Sequence, residues 1–86
     1  MNTKERITTA LASALSPQSL DVIDESHLHK GHAGHRDEGE THFRVVITAE
    51  AFRGKSRVDI HRQINTILAD ELAAGVHALA IRAKAP

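Results

Sequence analysis

The sequence predicts an α+β domain in the order α, β, β, α, β, with a three-stranded mixed sheet and the helices packed on one of its faces. Three observations carry this reading. Residues 3–15 and 56–72 repeat aliphatic side chains with the period of a helix. Residues 20–23 and 42–48 alternate them as strands do, and a last apolar run follows Gly75. At 86 residues the chain is one small domain spanning 1–86, too short to enclose a deep cavity.

The first helix places Ile7, Ala10, Leu11, Ala14 and Leu15 on one side, with Asn2 or Thr3 as N-cap and Ser16-Pro17 as the stop. Proline disfavours a new helix directly after it, so SLDVIDES reads as an edge strand with Leu20 and Val22 on one face. HLHKGHAGHRDEGE follows, with three glycines and His27, His29, His32 and His35 but no apolar period, and reads as a long loop. From His42 to Thr48, Phe43, Val45 and Ile47 alternate with His42, Arg44 and Val46, forming a second strand antiparallel to the first. A turn around Phe52-Arg53-Gly54-Lys55 leads into a long helix whose buried side is Ile60, Ile64, Ile67, Leu68 and Leu72. Gly75 is its stop, and Val76 to Ile81 form the third strand. A strand, a crossing helix and a strand favour parallel, right-handed pairing of the second and third strands.

Composition narrows the function. Eleven basic and eleven acidic residues cancel, which argues against wholesale polyanion binding while allowing a local patch. Without tyrosine or tryptophan the chain is poorly equipped to stack bases. Without cysteine it has no disulfide, no thiol nucleophile and no thiolate for an iron–sulfur cluster, so a cluster would need a partner's sulfur. No segment approaches the roughly 20 apolar residues of a membrane span, and the N-terminus lacks a secretory apolar core. The expectation is a soluble cytoplasmic protein with no membrane partner. No serine sits in a nucleophile elbow and no carboxylate pair is set apart, so no catalytic residue and no enzyme are expected.

Three features can carry chemistry. His27 and His29 are two apart, so on an extended backbone both can converge on one ion; a solvated loop is the plain alternative. His77 opens the last strand on the face of Leu79 and Ile81, either as a metal ligand or as an ordinary histidine bonded to a carbonyl. Arg53, Lys55, Arg57 and Arg62, with His61, stand against Asp59 alone at the start of the long helix, which suits phosphate binding as well as a simply solvated turn.

Five segments in order, SHLH at 26–29, THFRVVI at 41–47, Phe52 and Gly54 as F-x-G, HRQINTILADEL at 61–72 and VHALAI at 76–81, resemble the BolA family in its histidine-loop branch. The likeness covers about residues 3 to 83 and implies an α/β fold similar to the class II KH arrangement, with a helix-turn-helix-like element. It also implies a partner. BolA-like proteins pair with monothiol glutaredoxins and share a [2Fe-2S] cluster with them and glutathione, so no cofactor is expected in the isolated chain. The family's C-terminal histidine ligand matches His77. Its loop ligand matches the second histidine of S-H-x-H, His29, with His27 as the second choice. Histidine binds iron in its neutral form, so acid would compete for such a site. Bacterial members are also described as DNA-binding regulators of cell shape and stress responses. For that activity the contacting residues would be Lys55, Arg57, His61 and Arg62. The loop here is longer than in typical members and adds His32 and His35, which opens binding of another metal by the loop. Ile60 stands at a position that is often basic in the family.

Overall fold

The computed structural model describes residues 2–26 and 41–86; His27, His29, His32 and His35 lie outside them. The first helix, α1 (Thr3–Leu15), is capped by the Asn2 side chain, which accepts the Glu5 N–H at 2.9 Å. It ends where Ser16 turns left-handed (φ 45°) just before Pro17. Strand β1 (Ser19–Asp24) pairs antiparallel with β2 (His42–Thr48). A 3-10 turn (Glu50–Phe52) and Gly54 (φ 79°) then reverse the chain. At this exposed turn the Arg53 guanidinium bonds to the Glu50 carboxylate and holds it below the usual carboxylate range.

Helix α2 (Arg57–Ile67) starts at Ser56, whose hydroxyl accepts the Asp59 N–H at 3.1 Å. The long helix expected as far as Leu72 is two. Leu68 leaves helical geometry (φ −99°, ψ 15°), and α3 (Ala69–Ala74) follows at once. No glycine or proline forces that break. Leu68 is fully buried in the core, and the break lets α3 pack against α1, where Arg6 Nε meets Glu71 Oε1 at 3.0 Å. Gly75 (φ 137°) closes α3, as only glycine does comfortably.

The last strand, β3 (Ala78–Lys84), runs parallel to β2, giving the sheet order β1-β2-β3 with β2 in the middle. It begins two residues later than the expected Val76 and extends past Ile81 to Lys84. On the inner face, Phe43, Val45 and Ile47 meet Ile7, Leu11 and Leu15 of α1 and Ile60 and Ile64 of α2 in one core, joined by Phe52 and Leu68. Leu79, Ile81 and Ala83 of β3 pack against its side. The strands' other face is uncovered, as the alternation in the sequence implies, with Asp21, Ile23, Ala80 and Arg82 exposed. Among the described residues no helix is long and apolar enough to cross a membrane.

Candidate functional site

His77 lies between Gly75 and the start of β3, and it is exposed. Its backbone is nonetheless fixed: the Thr41 carbonyl accepts the N–H of His77 at 2.7 Å and that of Ala78 at 3.2 Å. Gly75 releases the chain from α3, Val76 is buried as an anchor, and the next residue carries its imidazole into solvent. The ring is therefore not laid over the apolar face beside Leu79 and Ile81, as strand alternation from Val76 would have it. Because β3 starts at Ala78, His77 escapes that alternation, and its ring centroid lies 6.2 Å from that of His42, tilted by 31°.

His42 is the residue that the sequence reading passed over as a strand position. The parallel register, with His42 opposite Ala78, brings the histidine of THF and that of VHA to one end of the sheet. Only a residue-by-residue alignment of those two segments as parallel neighbours would have revealed it. The His42 Nδ1 is 2.8 Å from the Thr41 hydroxyl oxygen, which orients the ring.

The same end of the sheet holds both mouths of the histidine-rich segment. The chain departs at Ser26 and returns at Thr41, both buried. The Ser26 hydroxyl oxygen accepts the Thr41 N–H at 2.9 Å and the His42 N–H at 3.2 Å, while the Ser26 N–H donates to Asp24 Oδ1 at 2.9 Å. Glu25 adds a 2.9 Å ion pair with Arg44 and an N–H bond to the His42 carbonyl at 2.8 Å. Ser26, Thr41, His42 and His77 are thus tied into one backbone-anchored cluster. His27 and His29, expected as loop ligands, lie outside the described residues, one and three positions beyond Ser26. Among the described residues, no three metal-ligating side chains are grouped so as to hold an ion.

The basic residues occupy a different region. Arg57 and Arg62 are exposed and make no ion pair among the described residues, and His61 is half-buried. The Lys55 ammonium donates to Gln63 Oε1 at 2.7 Å. Arg57 and His61, with Ile60 between them, form one wall of a groove of about 390 Å³ whose other wall is Ile81, Arg82 and Ala83 of β3.

The chain is similar to known proteins along its whole length. The Escherichia coli protein named DNA-binding transcriptional regulator BolA is 42% identical over 94% of this chain and 73% of its own. The SufE-like protein 1 of Arabidopsis thaliana, chloroplastic/mitochondrial by name, is 49% identical, but this chain spans only 23% of it. The solved BolA domain of that plant's SufE1 superposes on all of this chain and 95% of its own with a TM-score of 0.89 at 45% identity. The family profile described as BolA-like protein matches residues 11–86. With a profile running from within the first helix to the last residue and a fold that superposes throughout, this chain belongs to the BolA-like protein family.

Proposed function

We propose that this chain is a partner-binding regulator that joins a monothiol glutaredoxin and shares a [2Fe-2S] cluster with it, through His77 and a histidine of the loop, His29 before His27. The observation that supports it most is the exposed His77 imidazole on a backbone pinned by the Thr41 carbonyl, at the sheet end where the histidine-rich segment departs and returns. The donor set fits such a cluster in a specific way. Imidazole is a known iron ligand, and a chain without cysteine needs thiolates from glutaredoxin and glutathione. Bound there, histidine in place of thiolate on one iron raises the cluster's potential. The chain's own task is to present His77 in a fixed direction, which the Thr41 and Ser26 bonds do. No residue is assigned a catalytic role.

The test is spectroscopic. Mixing the chain with a monothiol glutaredoxin, iron, sulfide and glutathione should give a visible spectrum distinct from that of the glutaredoxin homodimer, and His77→Ala should abolish the difference. An unchanged spectrum with the variant removes His77 from the site.

A second reading, DNA binding through Lys55, Arg57, His61 and Arg62, is favoured by two exposed guanidiniums, at the start and in the middle of α2, that make no ion pair among the described residues, and by the printed name of the E. coli relative. It expects affinity that falls steeply with salt, and Arg62→Ala should reduce the slope of log K against log salt by about one. An unchanged slope counts against it. Binding of another metal by His27, His29, His32 and His35 is separable by calorimetric titration of the lone chain with zinc, nickel or copper.

A further inference from the structure

The groove between α2 and β3 is unused by the cluster site, and one of its walls is a free sheet edge. The Thr41 carbonyl accepts the Ala78 N–H, and the Ala49 N–H donates to the Lys84 carbonyl. By strand alternation, Ala78, Ala80, Arg82 and Lys84 therefore turn their backbone groups to β2, and Leu79, Ile81 and Ala83 turn theirs outward. Because β3 is the last strand of the sheet, no strand among the described residues pairs with that outward row. An unpaired row of N–H and C=O groups is a template for another strand.

The opposite wall is the α2 face made by Arg57, Ile60 and His61, at i, i+3 and i+4. Ile60, Ile81 and Ala83 make an apolar floor, while Arg57, His61 and Arg82 line the groove as well, with no carboxylate among the lining residues. Asp59, the one acid near this end of α2, is not among them. The volume of about 390 Å³ falls within the range of ligand clefts.

We propose that this groove receives an extended acidic segment of a partner protein, which adds to the free edge of β3 as a fourth strand. On the helix side its apolar side chains lie on Ile60, Ile81 and Ala83 and a carboxylate meets Arg57 and His61, while carboxylates on the open side meet Arg82. A peptide fits this edge better than a nucleic acid. A strand offers both donors and acceptors to the outward groups of Leu79, Ile81 and Ala83, whereas a phosphodiester chain offers acceptors alone. Base stacking is also unsupported, because both phenylalanines are buried in the core and none lines the groove. The surface is separate from His77, so the inference does not rest on the cluster reading.

The experiment titrates the ¹⁵N-labelled chain with an acetylated, amidated seven-residue peptide that has valine at its second and fourth positions and glutamate elsewhere, so that one glutamate shares the valines' face. Amide exchange at Leu79, Ile81 and Ala83 should slow about tenfold, while that at Ala80 and Arg82, already bonded to β2, stays unchanged. Arg57→Glu should weaken binding about tenfold or more, and Arg57→Lys should largely keep it. His77→Ala should bind the peptide normally. The same peptide N-methylated at every residue should fail, because neither of its edges keeps an N–H to pair with β3. Three results would each overturn the proposal: no protection at millimolar peptide, equal binding of the N-methylated peptide, or a thymidine oligonucleotide that occupies these residues and excludes the peptide.

Discussion

Ser26 is not one of the candidate ligands, yet the placement of His77 depends on it. Its hydroxyl oxygen is the acceptor for two backbone N–H groups, those of Thr41 and His42, and Ser26 is 2% and Thr41 0% exposed. Ser26→Ala would leave buried donors unmatched, at a cost of about 1–3 kcal/mol, read as a lower urea midpoint with an unchanged slope. Since the Thr41 carbonyl holds the His77 and Ala78 N–H groups, the variant should also broaden the amide resonances of those two residues. An unshifted midpoint would show that the hydroxyl is dispensable. Gly75 acts at the other side of His77. With φ at 137° a Cβ is strained there whatever the space around it, so Gly75→Ala should cost about 1 kcal/mol or more by thermal or denaturant unfolding.

At the scale of elements, the sequence carried the order of helices and strands, an N-cap at Asn2 or Thr3 that the structure places at Asn2, the antiparallel first pair and the parallel second pair. Those features are local or follow from chain connectivity, and they leave a periodic trace. The break at Leu68 leaves none. Ile64, Leu68 and Leu72 keep helical spacing across it, and the interruption comes from α3 swinging onto α1. The late start of β3 was equally hidden, because Leu79 and Ile81 alternate with smaller residues whether or not Val76 and His77 are in the ladder. That shift moves His77 from an apolar face to solvent. The basic residues were legible as a cluster, but the groove they share with Ile81, Arg82 and Ala83 is a tertiary fact that joins residues far apart in the chain.

For the whole molecule, stability rests on one core of aliphatic side chains around Phe43 and Phe52. Ile64 is completely buried at its middle, so Ile64→Ala should cost about 2–5 kcal/mol. A domain this small has a net stability of about 5 kcal/mol, so the variant should show a large loss of cooperative unfolding by circular dichroism at room temperature. Retention of a wild-type melting curve would mean that the core redistributes around the missing atoms. The parallel pairing of β2 with β3 has a further consequence for biogenesis. His42 cannot meet Ala78 until α2 and α3 have been synthesised and have crossed the sheet, which makes this docking a non-local step of the chain's assembly. On a ribosome the imidazole at position 77 therefore acquires its fixed direction only after α2, α3 and the start of β3 have emerged. A copy lacking β3 has no finished sheet end to offer, so whatever recognises that end also selects for copies that have closed the sheet.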